Sequence, residues 1–558
     1  MKTGANILLA SLTAQGVKTI FGYPGSTVLP IYDELQNFDI QHILVRHEQA
    51  AAHAADGFSR AGGDVGVCLA TSGPGACNLV TGIATAYMDS VPMIAITGQV
   101  PTHMMGNDAF QEADITGITR PIVKQNYQVT HPSDICGIVS EAFHVAKTGR
   151  PGPVLIDIPK DVSTGMLTED TSDILRKSHY RISVSADYQD FSIRAATMIA
   201  DAEKPLIYAG GGAIHAGASE EIRILAEMSG IPVTTSLLGL GLIPSDHPLN
   251  LGMIGMHGTI AANHAVAECD LLIAIGARFS DRVCGTSGTF APHASVIQID
   301  IDPKEIGKNR SVDLGCIGNA KPIVQKINQR LAHSPKTRMW MKQTDEWRRQ
   351  SSDYLDPNDG MLYPQQIIRT LSSLLKGEGI IVSEVGQNQM WTAQHFRFSR
   401  PRSFLTSGGL GTMGFGLPAA MGAHFARPDQ DVCTIAGDGS LQMNIQEFAT
   451  LAEYQIPVKI FVLNNQYLGM VRQWQELFYD RRYAFTELPS IEFTRIAAAY
   501  GIGGIKVETP DAVEGALRAA LDTEGPYLID FRIEREENVF PMIPAGAQSH
   551  EMLLKNPI

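Results

Sequence analysis

The chain has 558 residues, of which 44% are hydrophobic and 18% charged, and a formal net charge of −14. This length and composition imply several domains with large buried cores and exclude a disordered chain. The acidic balance argues against nucleic acid or an anionic membrane as partner, and no run of about 18 apolar residues is present to span a bilayer.

The first segment, MKTGANILLASLTAQGV, spaces its apolar residues as a helix does and lacks a cleavage site, so it reads as the first helix of a domain rather than as a signal. HILVRHE, VGVCLATSG and PMIAITGQ then read as strands, each followed by a Gly- or Ala-rich helix start, and GPVLIDIPKD at 152–161 closes the pattern. A polar stretch, about 162–190, reads as a linker. The middle third begins again with KPLIYAGGGA and continues through TTSLLGLG, DLLIAIGARF and SVIQIDIDP, before a charged, helix-like linker at about 340–354. The last third repeats the grammar with IIVSEVGQ, VCTIAGDGS, VKIFVLNN and GPYLIDFRI.

This alternation predicts an α/β fold of three doubly wound parallel-sheet domains, at 1–170, 190–335 and 360–540, with a C-terminal tail at 541–558. The echo between GPVLIDI and GPYLIDF suggests that the first and last domains share a fold. Seven cysteines, at 68, 77, 136, 269, 284, 316 and 433, form no CxxC pair, which fits a reduced, cytoplasmic compartment.

The sharpest local signal spans 431–465. DVCTIA reads as a buried strand, GDGS (437–440) follows at its C-terminal end, MNIQEFATLAEYQ has helical spacing, and VKIFVL is the next strand, ended by Asn464 and Asn465. A strand–helix–strand crossover makes the two strands parallel, so Asp438 and Asn465 meet at one sheet edge although 27 positions separate them. Two oxygen side chains without a full cage suit Mg²⁺, which completes its octahedron with phosphate oxygens. Gly437 and Gly439 allow close approach of a phosphate, and the helix start after them offers N–H groups. Taken alone, GDG marks a turn; GDG, 24 residues and then NN, with strands on both sides, is far more specific. Glu48, in LVRHEQAAAHAADGFSR, stands where a strand ends and a helix begins, a place where a carboxylate also simply stabilises the helix dipole.

The 431–465 arrangement resembles the thiamine-diphosphate signature. More widely, FGYPGS, RHEQAA, ATSGPGACNL, DAFQEAD, GRPGPVLIDIPKD, GMHGT, GARFSDRV, VGQNQMW, GGLGTMGFGLPAA and LGMVRQWQ resemble, in order and over essentially the whole chain, the catalytic large subunits of acetohydroxyacid (acetolactate) synthases. The resemblance implies a pyrimidine-binding first domain, a central FAD-binding domain and a diphosphate-binding third domain, with thiamine diphosphate, Mg²⁺ and a non-redox FAD as cofactors. It implies Asp438, Asn465 and the Tyr467 carbonyl as metal ligands. Glu48 would be the carboxylate that hydrogen-bonds the aminopyrimidine. Val385, Gly386, Gln387, Asn388, Gly439, Ser440, Leu468, Gly469 and Met470 would lie at the diphosphate or thiazole, and Gly411 and Met413 at the aminopyrimidine, Met413 as an apolar wedge. Trp474, one helical turn beyond Met470, resembles the residue that sizes the pocket for the second keto acid, and Arg282 the one that binds its carboxylate. Phe110 and Gln111 resemble active-site residues supplied by a partner subunit, and Lys160 a lysine near the substrate channel. Arg150, Gly211, Gly212, Met256, His257, Arg278, Asp300, Ile301 and Asn319 match positions near the flavin; a lone His such as His257 is otherwise usually a satisfied core residue.

The implied reaction decarboxylates pyruvate and transfers the two-carbon unit to a second 2-keto acid, pyruvate or 2-ketobutyrate, in branched-chain amino-acid synthesis. A homodimer or tetramer with shared active sites and a small regulatory subunit are the implied partners. A flavin oxidoreductase of the pyruvate-oxidase type and a degenerate regulatory paralogue are the competing expectations. DAFQE, Arg282 and Trp474 argue against the first, and intact Glu48, Asp438 and Asn465 against the second. The chain departs from the family pattern at Ser26, Thr27, Ser280, Asn319 and Asn388, where the family's diphosphate-contacting His is replaced. These changes bear on substrate preference, cofactor affinity or turnover rather than on the fold.

Overall fold

Runs of Val, Ile and Leu bounded by Gly, Pro and Asp are suited to strands buried on both faces, and such strands form parallel sheets covered by helices. The computed structural model describes residues 1–167, 188–285, 290–331, 336–352, 359–544, 546–548 and 551–555. A short strand, β1 (Lys2–Thr3), comes first. The first sheet is built from β2 (Thr19–Tyr23), β3 (Gln41–Leu44), β4 (Gly66–Ala70), β5 (Met93–Gln99), β6 (Gln125–Gln128) and β7 (Pro153–Pro159), in the order β3-β2-β4-β5-β7-β6. β8 (Met166–Leu167) then pairs antiparallel with β1.

The second sheet contains β9 (Pro205–Ala209), β10 (Val233–Thr235), β11 (Asn250–Met253), β12 (Leu271–Ile275), β13 (Ser295–Asp300) and β14 (Leu314–Ile317), ordered β11-β10-β9-β12-β13-β14. The third contains β15 (Ile380–Ser383), β16 (Phe404–Leu405), β17 (Val432–Gly437), β18 (Lys459–Asn464), β19 (Gly503–Val507) and β20 (Tyr527–Arg532), ordered β16-β15-β17-β18-β20-β19. The three-domain, doubly wound parallel class expected from the sequence therefore holds.

Counting strands within each domain, the first and third sheets have the same order, 2-1-3-4-6-5, whereas the middle sheet has the dinucleotide-binding order 3-2-1-4-5-6. The echoing segments GPVLIDI and GPYLIDF form β7 and β20, the sixth strand of each related sheet. In every domain the order reverses beside the first strand, and the loops leaving that point are where an open α/β sheet binds ligands.

The fold differs from the sequence reading in several places. Of TTSLLGLG only the first two residues are strand, as the end of β10 (Val233–Thr235); a 3-10 turn, Leu237–Gly239, follows. The helix expected after GDGS is broken into Asp438–Leu441, a 3-10 segment Gln442–Glu447 and Phe448–Glu453, with Asn444 outside helical φ/ψ and donating its amide to the Gly414 carbonyl. The charged segment read as a linker at 340–354 is the helix Arg338–Ser352. It docks on the middle domain through the buried Trp340, whose indole N–H donates to the Pro205 carbonyl at 2.9 Å. Of the polar stretch near 162–190, Lys160–Thr164 is helical; residues 168–187 lie outside the described residues.

The first and third domains pack on each other through two helices, Glu48–Gly62 and Gly416–Ala426, which share one apolar core. Each helix carries a glycine at the crossing. A Cβ at Gly57 would overlap the Ala419 carbonyl, and one at Gly422 would overlap the Ala54 carbonyl, so only glycines permit this approach. Beside the crossing lies a buried charge cluster. Arg60 pairs with Asp56 and Asp89, and Asp89 accepts the backbone N–H groups of Gly408 and Gly409 at 2.9 and 2.7 Å.

Candidate cofactor site

The third sheet reverses its order between β15 and β17, and the loops leaving β15, β17 and β18 converge there into one cleft. The β15 loop brings Val385, Gly386, Gln387 and Asn388; the β17 loop brings Asp438, Gly439 and Ser440; the β18 loop brings Asn465, Tyr467, Leu468, Gly469 and Met470. Met413 lines the cleft from a fourth segment, and its terminal methyl would lie 3.8 Å from a Cβ on Gly439. Trp391, Leu463 and Val471 complete the wall and were not singled out from the sequence, where each reads as ordinary packing.

Hydrogen bonds join these loops. Gln387 donates to the Gln473 side chain at 2.9 Å and to the Glu537 carbonyl at 3.0 Å, and accepts from the Asn465 amide at 3.2 Å. A Cβ at Gly469 would overlap the Gln387 amide oxygen, so any larger residue there displaces the Gln387 side chain where the two loops touch. Asn465 Oδ1 accepts the Tyr467 N–H at 3.2 Å. Ser440 closes the turn at Gly437, donating to its carbonyl at 3.1 Å.

The residues fit a divalent cation. Asp438 is buried, and burial pushes its carboxyl up to about 7. Among the described residues it forms no ion pair, and no three His, Cys, Asp or Glu side chains gather at a metal position. A buried acid of this kind calls for positive charge from a ligand. Asp438 with Asn465 is a partial set, suited to an ion that finishes its shell on phosphate oxygens.

Two buried carboxylates of the third domain, Glu384 and Glu447, brace backbone segments, Glu384 the one beside the cleft and Glu447 the one before Glu48, and neither is apparent from the sequence. Glu384 accepts the N–H groups of Gly414 and Gly416 at 2.9 and 2.8 Å, which fixes the segment after Met413; burial raises it to about 7. An acid directly ending the apolar run IIVS was the available signal.

Glu48 is the first residue of its helix, half-buried, and accepts from the Asn78 amide at 2.9 Å. It does not line the cleft, whose walls come wholly from the third domain. Gly411 (φ +71°) lies on the Met413 loop outside the lining. Trp474 stands on the helix Gly469–Phe478, its ring 5.1 Å from that of Phe478. Phe110 is 87% exposed and Gln111 has φ +60°. Lys160 borders a separate surface cleft with Tyr32 and Asp33.

The flavin-matched residues gather mostly at the edge of the middle sheet. Gly211 and Gly212 follow β9; Gly212 donates to the Gly276 carbonyl at 3.1 Å, on the loop that leads to Arg278. These two loops flank the point where the strand order reverses. Asp300 ends β13 and Ile301 follows it, while Asn319 caps the helix Ala320–Arg330, accepting from Lys321 N–H at 3.0 Å. Arg150 reaches across from the first domain to Asp302 and Glu305. Met256 and His257 follow β11. Arg282 is exposed, with its guanidinium 3.9 Å from the Met256 sulfur. His257 is buried with Nδ1 3.3 Å from the Pro541 carbonyl, and desolvation lowers it to about 4, so it is a neutral, partnered ring.

The fold and site define a thiamine-pyrophosphate enzyme. Residues 2–118 match the N-terminal TPP binding domain of thiamine pyrophosphate enzymes, 193–327 their central domain and 384–531 their C-terminal TPP binding domain. The chain is 49% identical to a probable acetolactate synthase large subunit of Methanocaldococcus jannaschii, covering 98% of this chain and 94% of the relative. It is 48% identical to the acetolactate synthase large subunit of Parasynechococcus marenigrum (99% and 91% covered) and 46% identical to the acetolactate synthase isozyme 2 large subunit of Escherichia coli (99% of each). The chain belongs to the acetolactate synthase large-subunit family. No helix among the described residues is long and apolar enough to cross a membrane.

Proposed function

We propose that this chain is the catalytic subunit of an acetohydroxyacid synthase, which decarboxylates pyruvate and joins the two-carbon unit to pyruvate or 2-ketobutyrate. The carrying observation is the convergence of Asp438, Asn465 and the 385–388 loop in one cleft at the strand-order reversal of the third sheet. Thiamine diphosphate, when bound, supplies the carbanion chemistry that neither side chains nor backbone can provide. Asp438, Asn465 and the Tyr467 carbonyl would hold Mg²⁺. Val385–Asn388, Gly439, Ser440 and Leu468–Met470 would seat the diphosphate and thiazole, and Gly411 and Met413 would shape the ring end. Glu48 would hold a proton at the pyrimidine nitrogen.

Glu48 belongs to the first domain and stands outside the cleft formed by its own chain, which supports a homodimer or tetramer whose sites are each completed by a partner's first domain. On this reading Phe110, Gln111 and Lys160 also serve the partner's site, while Trp474 and Arg282 select and orient the second keto acid. The 3-2-1-4-5-6 order of the middle sheet and its Gly211–Gly212 turn support FAD there, without a redox role. Relatives named large subunits support a small regulatory subunit as a further partner, and the cytoplasm is the proposed compartment.

The test is product analysis of the purified chain with pyruvate, with and without 2-ketobutyrate, under added thiamine diphosphate, Mg²⁺ and FAD. The synthase reading expects 2-acetolactate and 2-aceto-2-hydroxybutyrate with no flavin bleaching under anaerobic conditions. Stoichiometric bleaching without either product would contradict it.

A further inference from the structure

Asp89 of the first domain is 5% exposed and is the last residue of the helix Val80–Asp89. The helix dipole disfavours a carboxylate at that end, and burial adds to the cost, so the acid depends on partners from outside its helix. Oδ2 accepts the Gly408 N–H at 2.9 Å and Oδ1 the Gly409 N–H at 2.7 Å, while Arg60 donates to Oδ2 at 2.9 Å. A Cβ at Gly409 would lie 2.8 Å from Oδ1, so the backbone of the third domain seats directly on the carboxylate. Arg60 also donates to the Thr406 carbonyl at 3.0 Å. The Thr85 hydroxyl, one helical turn before Asp89, meets the Thr412 hydroxyl at 2.7 Å.

The segment Gly408–Met413 ends at the side chain that lines the cleft from its fourth wall. Beyond Met413, Glu384 holds Gly414 and Gly416. The segment is therefore suspended between two buried acids, one from each domain, with Leu410 and Gly411 exposed between them. Gly411 (φ +71°) and Gly414 (φ +88°) turn the chain on either side of Met413. Where Met413 stands depends on both anchors, and one of them belongs to the first domain.

We propose that Asp89 is a positioning residue, which sets the segment Gly408–Met413 against the ring end of the cofactor in the cleft of its own chain. The inference rests on the thiamine-diphosphate reading of the cleft and adds to it a residue outside the cleft that places the rings. On that reading the first domain acts on two clefts, through Glu48 on that of a partner subunit and through Asp89 on its own.

In Asp89→Asn the shape is kept, but the amide N–H₂ faces a donor whichever way the group turns, either Gly409 N–H or Gly408 N–H with Arg60. Asp56 pairs with Arg60 from another side. Asp56→Asn is therefore the comparison that loosens the same cluster and leaves the acceptors of both glycines in place.

The experiment is calorimetric titration of the full-length protein at saturating Mg²⁺ with thiamine diphosphate and, separately, with inorganic diphosphate, which has no rings. The quantity read is the ratio of the two affinities. A loosened fold weakens both ligands together, whereas a displaced ring seat weakens only the first. Asp89→Asn should lower the ratio about tenfold, with inorganic diphosphate bound within about twofold of wild type. Asp56→Asn should keep the wild-type ratio. Thr85→Val, which takes only the Thr412 contact from the segment, should lower the ratio about threefold, and it decides the matter if Asp89→Asn fails to fold by circular dichroism. An unchanged ratio in the folded variant that decides, or an equal fall in Asp56→Asn, would overturn the proposal while leaving the function intact. Absence of wild-type binding to thiamine diphosphate would instead overturn the thiamine-diphosphate reading itself.

Discussion

The carboxylate of Glu447, in the third domain, accepts the backbone N–H of Arg46, two residues before Glu48, at 2.9 Å. The Thr450 hydroxyl donates to the same carboxylate at 2.7 Å. The strand end that presents Glu48 is thus held by a buried acid of the neighbouring domain. Burial raises Glu447 from 4.5 to about 7. The folded protein then binds a proton that the unfolded chain releases between about pH 4.5 and 7, so this group's contribution to stability is fully present below that window and is lost as pH rises through it. The cost above pH 7 amounts to about 3 kcal/mol. Glu447→Gln, which keeps an acceptor for Arg46, should melt higher than wild type at pH 8 and lose that advantage near pH 5. A melting difference independent of pH would contradict the assignment.

The glycine crossing between the first and third domains makes a second expectation. In Gly57→Leu the new side chain starts inside the Ala419 backbone, and a helix bearing it has to move away. The loss should be about 3 kcal/mol, read by urea denaturation, with cofactor binding weakened as the domains shift. Gly62→Ala, on the same helix but 3.2 Å from a side-chain methyl, should be close to neutral.

Trp340 tests the docking of the helix Arg338–Ser352. Removing its indole in Trp340→Ala empties a buried site and orphans the Pro205 carbonyl. A destabilisation of about 3–5 kcal/mol is expected in thermal melting. A melting point within error of wild type would mean that the segment behaves as the free linker its charge pattern suggests.

These cases mark what the sequence makes legible. Central strands such as DLLIAI and VKIFVL are continuous apolar runs and stand out, and the GDG-to-NN spacing locates the cleft because its residues are polar where burial is expected. Edge strands such as β6 and β14 are short and partly exposed, so they carry no such signal. Trp340 sits among charges that face water on the other side of its helix, and only the tertiary contact reveals which face is buried. Glu384 and Glu447 are visible as acids, yet their partners are backbone groups as far as 401 positions away, a relationship that periodicity cannot encode.

On the proposed reading, Trp474 would select the second keto acid. The half-buried indole rests on Phe478 and points from the same helix as Met470. Trp474→Leu should change the ratio of 2-aceto-2-hydroxybutyrate to 2-acetolactate formed from mixed keto acids by about tenfold, with pyruvate consumption less affected. An unchanged product ratio would remove Trp474 from the second-substrate pocket.

The central claim is that Glu48 of one subunit serves the cleft built around Asp438 of another. Glu48→Gln and Asp438→Ala should each lose about a hundredfold or more in turnover as purified proteins. Mixing the two after dissociation and reassembly creates hybrid dimers in which one of the two sites regains both native residues. Acetolactate formation should then recover to about a quarter of wild type, the statistical yield of such sites. Recovery at that level is the predicted result; a mixture as inactive as its two components would contradict the account.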